Sequence, residues 1–126
     1  MYLLLMSQIC VLGVFVADLC FFGESIPDQG QTILGHKHQV GPGGKGSNQA
    51  ITIAKLNGKV SFITKIGRDA YGEMALKLYK ETGVNTKSVI EDFKQATGVA
   101  GIMIDQKGNN AINIVPGAAA TLTYTP

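Results

Sequence analysis

The sequence predicts an α/β layered fold with a largely parallel sheet, joined to a smaller separate β sheet. Three observations carry this. β-forming and helix-forming runs alternate from Ile9 to Ile90. Each helical run begins near a polar capping residue and ends at Asn57-Gly58 or at Gly83. Two segments, about 20–40 and 98–115, fall outside that rhythm and combine turn residues with short β runs. A chain of 126 residues fits one domain with a hydrophobic core.

Taken in order, Ile9-Cys10-Val11-Leu12-Gly13-Val14-Phe15-Val16 is rich in β-formers and predicts a first strand buried on both faces. Pro27, Asp28 and Gly30 predict a turn over 23–31. Residues 32–40 read as extended and lead into Gly41-Pro42-Gly43-Gly44-Lys45-Gly46. Ser47 or Asn48 is placed to cap a helix running to about Leu56. Its apolar positions Ala50, Ile51, Ile53, Ala54 and Leu56 go nearly all round, which predicts deep burial. Asn57 and Gly58 both tolerate the left-handed conformation that ends it. Over 59–66, Val60, Phe62 and Ile66 alternate with Ser61 and Lys65, a strand signature. Asp69 is placed to cap a second helix, with Tyr71, Met74, Ala75, Leu78 and Tyr79 on one face and Gly83 as its stop. Residues 84–90 read as a short strand, and 99–104 and 111–115 as two strands joined around Gln106-Lys107-Gly108-Asn109. The two segments outside the rhythm together predict an antiparallel sheet.

Eleven basic against nine acidic residues leave a net charge of +2, too little to argue for nucleic acid or an anionic membrane as partner. Cys10 and Cys20 lie in an apolar stretch and read as small buried hydrophobes, without the further ligands a zinc site needs. A reducing cytoplasm is the default compartment. The first 22 residues are apolar enough to suggest a signal peptide or membrane anchor. However, no Lys or Arg precedes Lys37, and Ser7, Gln8 and Asp18 interrupt the run, so residues 9–17 are too short to span. A buried strand is the preferred reading, with residues 1–6 left as an apolar overhang.

The segment with chemical content is 41–50. Its glycines let the backbone approach a ligand closely, and a following helix N-terminus offers free N–H donors. Lys45 adds a flexible cation, and Asn48 a side chain that both donates and accepts, which suits sugar hydroxyls. Asp18, at the end of the first strand, could supply the carboxylate a polyol site needs, since ligands of open α/β sheets sit beyond the strands' carboxyl ends. Gly41, Gly43 and Gly46 also spell the dinucleotide fingerprint, but in the wrong place, after a long detour from the first strand. A phosphate-binding P-loop fails because Lys45 is followed by Gly46 and only then Ser47. A structural turn packing a helix on a sheet is the bland alternative.

Gly43-Gly44-Lys45-Gly46-Ser47-Asn48-Gln49-Ala50 resembles the first signature of the PfkB/ribokinase family of carbohydrate kinases. The similarity continues through Phe62-Ile63, Gly67-Arg68-Asp69-Ala70-Tyr71-Gly72, Thr97-Gly98-Val99-Ala100 and Ile114-Val115-Pro116-Gly117-Ala118. The stretch Val11-Leu12-Gly13-Val14-Phe15-Val16-Ala17-Asp18 is similar to that family's first strand. The resemblance implies a ribokinase-like α/β domain carrying a small β lid, of which residues 1–126 form the amino-terminal part and the segments about 20–40 and 98–115 the lid strands. By matching position, Asp18, Gly44, Lys45 and Asn48 would hold the hydroxyls of a pentose-like sugar. A complete family member would use ATP and Mg, and a homodimer through the lid strands is implied as a partner arrangement.

The chain also departs from the pattern. Ribokinases often carry Asn two residues before the carboxylate matched by Asp18, where this sequence has Val16, which changes hydroxyl recognition. Asn57, Ala119 and Ala120 differ from the residues common in the family. The family's catalytic aspartate, in a Gly-x-Gly-Asp motif at an anion-binding helix start, and its ATP pocket are expected beyond Pro126. No catalytic or metal-binding residue is therefore expected within these residues, and the chain alone is expected to lack kinase activity. A catalytically inactive sugar-binding or dimerising module is the alternative, and a dinucleotide-binding oxidoreductase piece a third. An unpaired sheet edge predicts poor solubility.

Overall fold

The structure is a computed structural model and describes residues 8–124. The apolar overhang expected at residues 1–6 lies outside the described residues. Three strands, β1 (Gln8–Leu12), β4 (Lys59–Gly67) and β5 (Val89–Asp92), form a wholly parallel sheet in the order β1-β4-β5. Helices α1 (Lys45–Lys55) and α2 (Ala70–Thr82) pack with it. Four more strands, β2 (Val16–Phe22), β3 (Lys37–Gly43), β6 (Thr97–Ile104) and β7 (Asn110–Gly117), form a second sheet in the order β3-β2-β6-β7, followed by a 3-10 turn at Ala118–Thr121.

β4 shows why the first sheet holds. Val60, Phe62, Thr64 and Ile66 alternate as buried positions on one face of the strand. Phe62 meets Tyr79 of α2 edge-on at 5.5 Å, and Tyr79 in turn meets Phe15 at 6.3 Å. All three side chains have no exposed surface. Edge-to-face pairs of this kind add about 0.5–1.5 kcal/mol beyond area burial. Asp69 caps α2 by accepting the Gly72 N–H, and Gly83, at φ 90°, ends the helix with its N–H on the Tyr79 carbonyl. Asn57, at φ 62°, takes the left-handed conformation after α1 as its type predicts. The β6–β7 turn is knotted by the Asp105 carboxylate, which accepts the N–H groups of Lys107 and Asn109 and the Asn109 side-chain amide.

Several expectations need correction. The first strand is not continuous from Ile9 to Val16. Its pairing with β4 ends where the Gly13 N–H bonds the Ile63 carbonyl, and Phe15 turns into the core, so the chain changes sheets between β1 and β2. Nor is β1 buried on both faces: α1 packs beside the Ile9 and Val11 face, where Ile9 is still exposed, and Cys10 and Leu12 on the opposite face are exposed. Cys10 is accordingly an exposed free thiol, while Cys20 is half-buried. Within 23–40, strand structure is confined to residues 37–40, the start of β3. The second sheet is mixed rather than antiparallel, because β2 and β6 run parallel, Val16 opposite Gly98 and Asp18 opposite Ala100. In 84–90 only a single bridge, Ser61 to Asn85, precedes β5. Helix α1 buries Ser47, Ala50, Ile51 and Ala54 but exposes Asn48, Gln49, Thr52 and Lys55, and its C-cap Leu56 is exposed as well, so it is amphipathic rather than apolar all round. Among the described residues no helix is long and apolar enough to cross a membrane.

Candidate functional site

The sheet change at 13–15 is what builds the site. It carries the chain off the parallel sheet and into β2, so Asp18 lies inside a strand of the second sheet rather than at the end of a strand of the first. Antiparallel pairing places Asp18 opposite Gly41 and Val16 opposite Gly43. The Asp18 carboxylate lies directly over Gly43, where even a Cβ would collide with it. Gly44 follows with φ 95°, and a Cβ there would strike the Val14 carbonyl, so both positions require glycine on steric grounds.

Gly44 is the N-cap of α1, and no side chain caps the helix. The expectation that Ser47 or Asn48 would cap it is therefore corrected, and each does something else. The Ser47 hydroxyl is buried and bonded to the Tyr79 hydroxyl at 2.8 Å, seating the first turn of α1 on α2. The Asn48 N–H bonds the Gly44 carbonyl as the first helical hydrogen bond, and its side chain is exposed. Lys45, the first residue of α1, is also exposed. The uncapped N–H groups of this turn and its macrodipole favour an anion or an electron-rich oxygen.

The four candidates thus fall into two places. Asp18 and Gly44 meet around Gly43, whereas Lys45 and Asn48 stand on the first turn of α1 just beyond. Asn48 opens on a groove of about 560 Å³ shared with Ile9, Val11, Thr52 and Ile53. A comparable hollow of about 570 Å³ lies at the opposite end of β2, between Phe21, Ile33 and Lys37, and includes none of the four. Burial raises the Asp18 carboxyl from its ordinary value, with no donor among the described residues lowering it. Burial also raises the Cys20 thiol, two residues along the same face, and the Asp18 charge adds to the effect.

One polar cluster at the base of the second sheet was only half legible. The sequence marks Asp69 as a helix cap, and it is one. Its other oxygen accepts the Thr97 N–H at 2.8 Å, and the Thr97 hydroxyl donates to the capping oxygen at 2.7 Å. Burial alone would raise the Asp69 carboxyl, but donors from Thr97, Gly72 and Tyr71 outweigh it and hold the group below its ordinary value. No local pattern joins residues 28 positions apart. Among the described residues no group of three or more His, Cys, Asp or Glu side chains is placed to hold a metal ion.

Comparison with known proteins agrees with this architecture. The family model described as pfkB family carbohydrate kinase matches residues 6–126. A ribokinase of Mus musculus is 34% identical over 112 residues, covering 89% of this chain and 35% of the relative. A deoxyribokinase of Salmonella typhi is 36% identical over 111 residues, covering 88% of this chain and 36% of the relative. Among solved structures, the ribokinase of Arabidopsis thaliana complexed with ribose and ATP superposes with a TM-score of 0.79 at 35% identity, covering 88% of this chain and 36% of that one. The chain spans little more than a third of the length of these relatives. It has a ribokinase-like α/β fold, and it belongs to the pfkB family of carbohydrate kinases.

Proposed function

We propose that the chain forms the sugar-holding side of an ATP-dependent kinase that phosphorylates the hydroxymethyl group of a pentose-like sugar. The observation that carries this is the half-buried Asp18 carboxylate, desolvated and aimed over Gly43 beside an uncapped helix start. Asp18 accepts hydrogen bonds from adjacent sugar hydroxyls. The backbone at Gly44, the Lys45 ammonium and the Asn48 amide serve the remaining oxygens, and the second sheet acts as the lid over them. The relative solved with ribose and ATP supports both the sugar class and the phosphoryl donor. When bound, ATP with its divalent cation supplies the phosphoryl group. The described residues provide no fitting set of metal ligands, and no step of transfer is assigned to a residue of this chain. A reducing cytoplasm is the compartment that goes with this reading.

A second reading is favoured by the surface of the second sheet. Phe21, Val40, Met103 and Val115 lie on one face of it and are all exposed. A second copy of the chain docked there would make this a dimerising, sugar-binding module without turnover.

Titration of the purified chain with ribose and 2-deoxyribose, followed by amide NMR, tests the first reading. Shifts confined to the neighbourhood of Asp18, Gly44, Lys45 and Asn48 are expected, with no response to a nicotinamide dinucleotide. An unchanged spectrum with every pentose would overturn it. Sugar-dependent ATP consumption by the chain alone would refute the view that turnover requires residues outside it. A sedimentation mass of two chains, abolished by Val40→Asp, would support the dimer.

A further inference from the structure

Among the described residues three chain segments join the second sheet to the parallel sheet and a fourth leads from β7 into the 3-10 turn, and they differ in kind. The two outer strands leave through glycines in positive-φ conformations, β3 through Gly44 at φ 95° and β7 through Gly117 at φ 55°. The two inner strands enter through anchored residues. Phe15, before β2, is wholly buried in the core. Thr97, the first residue of β6, is 3% exposed and held by Asp69 through both its N–H and its hydroxyl, while its hydroxyl oxygen accepts the Gly67 N–H. Of the two anchors, only the one at Thr97 is polar and directional, and Asp69 makes it while also capping α2.

The parallel ladder carries that anchor to the candidate site. Gly98 is opposite Val16 and Ala100 is opposite Asp18, so a displacement of the β6 root moves the carboxylate with it. We propose that Asp69 is a positioning residue for Asp18: by clamping Thr97 it fixes the height and angle at which the β2–β6 pair stands over the start of α1. This rests on the reading of Asp18 as a sugar-binding carboxylate. Two carboxylate oxygens accepting three hydrogen bonds, from Thr97 twice and Gly72 once, resist rotation in a way that the apolar packing of Phe15 does not.

Asp69→Asn separates this role from simple capping. Asn caps a helix about as well as Asp, but its amide nitrogen cannot accept the Thr97 N–H. Thr97→Val removes the hydroxyl at nearly constant shape, and Thr97→Ser keeps it. Spin labels at Lys55→Cys on α1 and Gln39→Cys on β3, in a chain with Cys10 and Cys20 changed to Ser, report the angle between the sheets without any ligand. Asp69→Asn and Thr97→Val should broaden a narrow distance distribution, and Thr97→Ser should restore it. Pentose titration of the same chains should show affinity weakened about tenfold in the first two and within about twofold of the parent in the third. If Asp69→Asn does not fold, Thr97→Val against Thr97→Ser decides the matter. A distribution unchanged in Thr97→Val, or unchanged pentose affinity in either clamp variant, overturns the proposal. If the parent chain binds no pentose but the label distances respond as stated, the sugar reading of Asp18 fails while the clamp between the sheets stands.

Discussion

Ser47→Ala and Tyr79→Phe cut one buried hydrogen bond from opposite ends, and the fold makes the two cuts unequal. The oxygens are 2.8 Å apart, and neither side chain has exposed surface. Removing the Ser47 hydroxyl strands the Tyr79 hydroxyl among apolar side chains, at a cost of about 2–3 kcal/mol. Removing the Tyr79 hydroxyl is milder. Ser47 is the third residue of α1, and its hydroxyl can turn back to the carbonyl of the N-cap Gly44 three residues earlier, so the cost is about 1 kcal/mol. The double variant leaves neither group orphaned and should be destabilised by about 1 kcal/mol, giving a coupling of about 2–3 kcal/mol. Urea unfolding of the four chains measures all three quantities. Additivity of the singles to within about 0.5 kcal/mol would show that the two hydroxyls do not satisfy one another, and that something other than this bond seats the first turn of α1.

The remaining predictions concern charge and space. Burial pushes the Tyr79 hydroxyl up to about 12, so its stabilising contribution is complete below the ordinary value of 10 and is lost between pH 10 and about 12. Tyr79→Phe should flatten that limb of a stability–pH curve. Asp92 is pulled down to about 2, first by the Lys65 hydrogen bond and then by the N–H groups of Lys94 and Gln95. Its contribution is present above the ordinary value of 3.8 and lost as pH falls to about 2, and Asp92→Asn should remove that acid-side slope. The Asp18 pKa is raised, so its charge opposes folding at neutral pH. Asp18→Asn should raise Tm at pH 7 while weakening pentose binding at least about tenfold, and a lower Tm would contradict this. Gly43→Ala drives a methyl group into the Asp18 carboxylate and should abolish pentose-dependent NMR shifts with the rest of the fold intact.

Local chemistry made much of this readable. Alternation along β4, the Asp69 cap, the left-handed stops at Asn57 and Gly83, and the turn before Asn109 are each decided within a few residues. What could not be read depends on partners distant in sequence. The break at Gly13 arises because Gly46 packs against it, with a Cβ at either glycine 2.9 Å from the other's Cα. From one segment alone, Ile9 to Val16 is an uninterrupted β run. Ser47 looked like a cap because hydroxyls favour that position, but its partner is a tyrosine 32 residues away. The glycine loop stands out as a candidate site through its residue types. Its contact with Asp18 does not, since that depends on antiparallel register between β2 and β3.

The parallel pairing of β2 with β6 has a temporal consequence. Residues 16–22 must find partners about 80 positions later in the chain, with both helices and β4 lying between. Loop closure over that length is slow, and it cannot be rewarded until the intervening α/β unit has formed. At ribosomal elongation rates β2 emerges on the order of ten seconds before β6 is complete. During that interval Val16-Ala17-Asp18-Leu19-Cys20-Phe21-Phe22 has β3 along one edge and nothing along the other. A nascent chain that waits longer for β6 should self-associate more through that edge, and slowing synthesis between residues 43 and 97 should lower the soluble yield.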